Sequence, residues 1–313
     1  MSARFSEETM TAAMREIAAI LDVSPEGGRL LQLTNNAVYA LPRAGIVIRI
    51  ARTHQLRDRV TKVVQLGRWF AEVDAPTIRL APEVEQPVNF GGLAASVWQF
   101  VPPHPPAMNV EDLATALRAF HAIGVPTFPL PAWDPIGDAR RRLTDADGLS
   151  KPDRNFLIGW CDRLELEVTA LNGRRPQTLI HGDAHIGNLL REPLGRALMC
   201  DFDATCVGPW QVDLAAAAVG EARFGPPTGG RSLAATYGYD VTSDSSWPVL
   251  REARELKMIA AAAPFLVTSQ AVAEEFANRL RSVREGDQEA HWKPFAALSV
   301  PQRQYRTHPW TTH

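Results

Sequence analysis

The chain has 313 residues, with 33 Lys and Arg against 35 Asp and Glu, giving a formal net charge of −2. Hydrophobic residues make up 45% and charged residues 22%, the balance of a globular protein long enough for about two domains of roughly 100–200 residues. The near-neutral charge argues against a nucleic-acid binder, which would carry a basic stripe.

The longest apolar run, 259–267, is about half a membrane span and is interrupted by Pro264. No membrane association is therefore expected. The opening MSARFSEETM lacks the apolar core of a signal peptide, so a cytoplasmic location is expected. Cys161, Cys200 and Cys206 are too few for a disulfide scaffold and have no zinc-site spacing, so they read as small buried apolar groups.

Ser6 before Glu7 and Glu8 reads as a helix start: a capping hydroxyl, then acids at the positive end of the dipole. Met10, Met14, Ile17 and Leu21 repeat at helical spacing, and the helix ends before Pro25. Strands follow at 30–33, 37–41 and 45–50, the last two joined by Pro42-Arg43-Ala44. A helix over 58–73 carries Val60, Val63, Val64, Gly67 and Phe70 on one stripe. Two strands flank Gly91-Gly92, the second over 93–101.

Pro102-Pro103-His104-Pro105-Pro106 stops helix and strand alike. It is read as the boundary between a strand-rich lobe, 1–101, and a mostly helical lobe, 102–313. Helices are expected in the second lobe at 110–123, 153–171, 212–224, 247–268 and 271–283. The tail after Trp292 has no periodicity.

The chemistry concentrates in 178–215, TLIHGDAHIGNLLREPLGRALMCDFDATCVGPWQVDLA. Leu179-Ile180 leads into His181, Asp183, His185 and Asn188. Leu189-Leu190 and Ala197–Cys200 read as a hairpin with Asp201 at its end, which can bring Asp183, Asn188 and Asp201 to one mouth. Phosphoryl transfer from ATP requires a carboxylate to receive the acceptor hydroxyl's proton and hard oxygen ligands for magnesium. Asp183 and Asn188 keep the D-x-x-x-x-N spacing of kinases, and Asp201-Phe202 keeps the D-F pair. A two-metal phosphoesterase would need further His/Asp clusters, and the remaining histidines form none. A protein kinase would need an activation segment after Asp201-Phe202, and the short stretch before Val212 leaves little platform for a peptide.

At these residues the sequence resembles the aminoglycoside phosphotransferase and choline kinase-like family of small-molecule kinases, through HGDxHxxN followed by DFDxxxxGPxxxDLA. Weaker similarity extends to Thr34-Asn35-Asn36-Ala37-Val38-Tyr39, like the family's nucleotide loop. Val47-Ile48-Arg49-Ile50 resembles its basic third strand, and Ala116–His121 its helix ending in Leu-His. The resemblance implies an α+β bilobal protein-kinase-like fold, with a small antiparallel-sheet N-lobe, a larger mostly helical C-lobe, and ATP (or GTP) with Mg2+ as cofactors. It implies Asp183 as catalytic base and Asn188 and Asp201 as metal ligands. His181, His185 and Asp213 would support the catalytic loop. Asn35, Asn36, Arg49, Gln99 and Val101 would hold the nucleotide, the last two at the hinge.

The pattern departs in one place. The family's helix after the third strand carries an acid that pairs with the basic residue. Here that acid falls near Val63, and Asp58 lies more than a turn earlier. Either another acid holds Arg49 or the phosphate clamp is loose, which keeps a degenerate nucleotide-binding kinase as the alternative. Asp203, Asp240 and Glu275 are acceptor-site candidates, suited to amino groups of an aminoglycoside-like compound, amino sugar or amino alcohol. The expected partner is thus a small-molecule hydroxyl acceptor.

Overall fold

The computed structural model describes residues 6–33, 36–51, 57–144, 146–225 and 230–298. In chain order the elements are α1 (Glu7–Ile20), β1 (Arg29–Leu33), β2 (Asn36–Leu41), β3 (Ile46–Ala51), α2 (Arg57–Glu72), β4 (Val88–Phe90), β5 (Leu93–Gln99), α3 (Val110–Ala122), α4 (Pro135–Thr144), α5 (Lys151–Arg174), β6 (Thr178–Ile180), β7 (Leu189–Arg191), β8 (Ala197–Met199), β9 (Cys206–Gly208), α6 (Gln211–Phe224), α7 (Gly230–Tyr237), α8 (Trp247–Ala260), α9 (Gln270–Arg284) and α10 (Phe295–Leu298). The chain divides into two compact units. The first joins Met1–Met108 to Asn188–Asp203, and the second joins Asn109–Gly187 to Ala204–Thr307.

The first unit is built on an antiparallel sheet of order β1-β2-β3-β5-β4. Helix α1 starts where the Ser6 hydroxyl accepts the Thr9 amide at 3.2 Å, and Glu7 and Glu8 complement its dipole. Its apolar stripe, Met10, Met14 and Ile17, covers one face of the sheet together with Tyr39, Leu41, Ile46, Ile48, Ile50 and Val97. Helix α2 covers the other face, where Val60 and Val64 pack on Ala51 and Ala94. With both faces covered, β2 is buried at every position. Arg49 alternates with Ile48 and Ile50, so it points to the α2 side, between Val38 and Ser96 in register.

The β7–β8 hairpin belongs to this unit. Ile78 N donates to Met199 O at 3.0 Å, and Met199 N to Pro76 O at 2.8 Å. Phe202 then anchors the end of the hairpin, its ring 4.8 Å from Phe70 and 5.8 Å from Trp98.

The second unit is helical around one core. Leu157, Trp160, Cys161 and Leu164 of α5 meet Ala253, Leu256 and Ile259 of α8 and Val272, Phe276 and Leu280 of α9. β6 pairs antiparallel with β9, which brings 181–183 beside 204–205. Two helices that the periodicity does not announce appear here, α4 and α7. The helix expected over 247–268 is corrected: α8 ends at Ala260, and a 3₁₀ turn, Ala263–Phe265, takes over around Pro264. Proline lacks the N–H and its ring clashes with the preceding turn, so the helix cannot pass through it. The strand expected to reach 101 stops at Gln99, because Phe100 N turns to Gly45 O at 2.8 Å. The three cysteines are free and buried, and burial pushes the Cys161 thiol up to about 11. Among the described residues no helix is long and apolar enough to cross a membrane.

Candidate active site

In the first unit the hairpin presents two hard-oxygen donors. Asn188 and Asp201 stand at its open end, tied by the Cys200 amide donating to Asn188 O at 2.9 Å. Asp201 adopts φ 64°, a left-handed conformation that aspartate tolerates better than most side chains. Arg49 reaches this end with both terminal nitrogens: Nη2 to Asp201 Oδ1 at 2.7 Å and Nη1 to Asp203 Oδ1 at 2.7 Å. Asn36 Nδ2 donates to Asp203 Oδ2 at 3.1 Å. Helix α2 adds two cations, Arg59 at 3.9 Å from Asp203 Oδ2 and Lys62 Nζ donating to Asp203 O at 2.7 Å.

Burial disfavours charge on Arg49, but Asp203 and Asp201 outweigh it and raise its pKa above the ordinary value. Burial likewise pushes Asp203 up, and Arg49 overcomes it, holding the carboxyl below the usual range. The question raised by Val63 is thereby answered. Val63 is buried in α2 and Asp58 is exposed, and the acids that hold Arg49 come from the hairpin.

Asn35 lies outside the described residues. Gln99 ends β5 with its amide on Arg79 O at 2.9 Å, its side chain exposed, and Val101 follows half-buried. Asp203, expected near an acceptor, is taken up here by Arg49 and Asn36.

The donor chemistry at the hairpin fits magnesium. Among the described residues no three His, Cys, Asp or Glu form a metal cage. One carboxylate and one amide oxygen suit an ion that completes its shell with phosphates and water.

In the second unit the loop after β6 carries Asp183. Gly182 turns the chain at φ 77°, and a Cβ there would lie 2.3 Å from Ala204 O, so only glycine fits. The fully buried Asp213, in the first turn of α6, fixes the loop from below. Its Oδ2 accepts from His181 N at 2.7 Å and its Oδ1 from Gly182 N at 2.8 Å. His121 Nε2 lies 3.0 Å from Oδ2, and His121 Nδ1 lies 2.9 Å from the Tyr237 hydroxyl.

Burial opposes ionisation of Asp213, yet the His121 contact and the loop groups hold its carboxyl below the usual range. Burial, with Asp213 nearby, pushes the Tyr237 phenol up to about 12. His181 is buried, and its Nδ1 accepts the Asp183 amide at 3.3 Å. His185 is half-buried, with Gly187 packed so closely that a Cβ would meet its ring at 2.9 Å.

The Asp183 carboxylate is held from α8. Arg254 Nη1 donates to Oδ1 at 2.6 Å and Lys257 Nζ stands 3.6 Å away, while Lys257 also donates to Gly182 O at 2.6 Å. Burial pushes the Asp183 pKa up, but Lys257, Arg254 and His185 overcome it and leave it well below the usual carboxylate range. Sequence reasoning missed Arg254, Lys257, Arg59 and Lys62. Their i, i+3 spacing shows that each pair shares a helix face, but not which loop that face meets.

Two acceptor candidates have partners of their own. Asp240 caps its own turn, accepting the Thr242 amide at 2.9 Å and the Ser243 hydroxyl at 3.0 Å. Glu275 is buried, pairing with Arg279 Nε at 3.0 Å and accepting the Lys293 amide at 2.8 Å. A core that must satisfy a buried guanidinium claims that carboxylate.

Solved structures share this fold. An amicoumacin kinase in complex with AMP-PNP, Ca2+ and Ami is 14% identical, with a TM-score of 0.68 over 93% of this chain and 97% of that one. A microcompartment-associated aminopropanol kinase is 19% identical, with a TM-score of 0.64 over 90% and 99%. An aminoglycoside phosphotransferase from Streptomyces rimosus is 16% identical, with a TM-score of 0.60 over 79% and 98%. No curated protein matches the sequence. The match to the phosphotransferase enzyme family spans residues 32–256, from β1 through the loop of Asp183 and the Asp201 hairpin into α8, and the chain belongs to that family.

Proposed function

We propose that the protein transfers the γ-phosphoryl group of ATP (or GTP) to a hydroxyl of a small polar molecule. The observation that carries this reading is Asp183, ionised and presented on a loop whose two amides are clamped by the buried Asp213. Its carboxylate would orient the acceptor hydroxyl and take its proton as the phosphoryl group arrives. Arg49, Arg59 and Lys62 supply positive charge for the nucleotide phosphates, Arg49 as a planar fork. Asn188 and Asp201 would hold magnesium, which when bound neutralises phosphate charge. Catalysis is then mainly positioning and charge neutralisation.

The test is ATP consumption over a panel of hydroxyl acceptors, with wild type and Asp183→Asn. Loss of that carboxylate should lower turnover by about 10²–10⁴-fold and leave Mg-ATP affinity near wild type. Wild-type turnover in the variant would refute the role. Asp201→Ala should instead remove most magnesium-dependent nucleotide binding, read by calorimetry with and without the ion.

A second reading, a nucleotide-binding protein without transfer, is favoured by one observation. Arg49 engages Asp201 itself, and α2 offers Val63 rather than an acid to draw it away. Magnesium-dependent ATP binding without transfer to any acceptor would support it.

A further inference from the structure

The side chains around Asp183 have a charge that an aminoglycoside-type acceptor would not match. Arg254 and Lys257 lie one turn apart on α8, a helix fixed by burial of Leu250, Ala253, Leu256 and Ile259. The only acid within ion-pair distance of either, among the described residues, is Asp183. One carboxylate thus answers two cations. The next basic residue along the helix, Arg251, is engaged elsewhere, on Glu255 at 3.0 Å and on the Gln288 carbonyl at 2.9 Å.

The guanidinium of Arg254 is incompletely used. Nη1 serves Asp183, while Nε is buried with no hydrogen-bond partner. A cavity beside it is walled by Trp133, Val212, Ala216 and Leu250 together with Arg254 and Lys257, with no carboxylate in its lining. The acids that the sequence offered for amino groups are bound elsewhere, Asp240 in its own turn and Glu275 to Arg279. A polycation would meet two like charges here, with Asp183 the one acid among the described residues that they pair with.

The arrangement also constrains the base. Asp183 Oδ1 is occupied by Arg254 at 2.6 Å, which competes with a hydroxyl for the same lone pairs. An incoming anion would draw the guanidinium away and free that oxygen. Arginine matches carboxylate and phosphate oxygens through two parallel N–H bonds, and lysine adds a point charge.

We propose that the acceptor carries an anionic group, a carboxylate or a phosphate ester, which Arg254 and Lys257 bind together in place of Asp183. This rests on the phosphotransferase reading above. Asp183, once released, takes the proton of the acceptor hydroxyl. The bond from the γ-phosphorus to the bridging oxygen breaks, a bond to the acceptor oxygen forms, and the nucleoside diphosphate leaves.

The test titrates four polyol probes into the full-length protein with Mg-ADP present. Gluconate carries a carboxylate, glucose 6-phosphate a phosphate ester, sorbitol no charge and kanamycin several positive charges. The same four are assayed for phosphoryl transfer from ATP. Gluconate or glucose 6-phosphate should bind more tightly than sorbitol or kanamycin, and which of the two binds identifies the anion. Arg254→Gln and Lys257→Gln should each weaken that binding by about 10- to 100-fold without changing ATP affinity, and Arg254→Lys should recover part of the loss. Melting curves establish that the variants fold, and Lys257→Gln carries the test if Arg254→Gln does not.

The proposal is overturned if neither anion binds, or if both glutamine variants bind it as wild type does. It is equally overturned if the variants weaken ATP instead, which would make the pair a nucleotide clamp. Transfer to sorbitol or kanamycin in preference to the anions overturns the anionic acceptor and leaves the phosphotransferase reading intact. Arg254-dependent anion binding without any transfer sustains the anion site and counts against that reading.

Discussion

Asp213→Asn isolates the brace beneath the loop of Asp183, because it keeps the shape of the side chain and removes one acceptor and the charge. In the wild type two oxygens serve three donors: Gly182 N on Oδ1, and His181 N and His121 Nε2 on Oδ2. An asparagine oriented to keep its oxygen at the Oδ2 position turns its NH₂ toward the Gly182 amide, donor against donor. One buried amide then loses its partner, at about 1–3 kcal/mol, and the bonds that remain lose their charge assistance. A total of about 2–5 kcal/mol follows, which for a unit of 150–250 residues lowers Tm by roughly 2–4 °C per kcal/mol.

On the proposed reading the same substitution should lower kcat more than it raises KM for ATP, since the displaced amides flank Asp183, whereas Arg49, Arg59 and Lys62, the cations proposed to meet the phosphates, belong to the other unit. Calorimetric melting and a kcat/KM comparison on an accepted substrate would read both effects. The pH dependence has a definite sign. The folded pKa of Asp213 is depressed below the ordinary carboxylate value, because the His121 contact and the loop groups outweigh burial. Its contribution is therefore complete above that value and is lost as pH falls through the folded pKa. Asp213→Asn should accordingly lower stability at neutral pH and flatten the acid limb of the stability curve. A variant with wild-type Tm and kcat would refute the brace.

Arg49→Ala should raise KM for ATP and cost about 3–5 kcal/mol, the penalty for removing one partner of a mostly buried ion pair, because Asp203 loses its closest cation; denaturant unfolding measures it. Gly182→Ala should be inactive and less stable, since alanine at φ 77° strains the backbone and its methyl would sit 2.3 Å from Ala204 O; unchanged melting would show that the loop can move aside. With its pKa held well below the usual range by Lys257 and Arg254 against burial, Asp183 of the substrate-free protein stays ionised as pH falls, so log(kcat/KM) should show no acid limb from this residue down to about pH 5. An acid limb near neutrality that Arg254→Gln displaces would contradict that environment.

Much of the molecule was legible from local pattern. Alternation placed Ile46, Ile48 and Ile50 on one face and Arg49 on the other, because side chains in a strand must alternate. The Ser6 cap and the Met10, Met14, Ile17 stripe defined α1 from chemistry contained within a few turns. The apolar pairs Leu189-Leu190 and Leu198-Met199, with Asn188 before the first and Asp201-Phe202 after the second, marked the hairpin.

What the sequence could not fix were partners distant along the chain. Val63 predicted a missing acid on α2, yet the acids for Arg49 lie some 150 residues on, at Asp201 and Asp203. Asp240 and Glu275 looked available because a carboxylate's composition says nothing of the turn or guanidinium that claims it. The pairing of Asp183 with Arg254, separated by 71 positions, arises only when α8 packs its apolar face into the second unit's core and turns Arg254 and Lys257 toward the loop. Helical periodicity determines which residues share a face, and tertiary packing decides what that face meets.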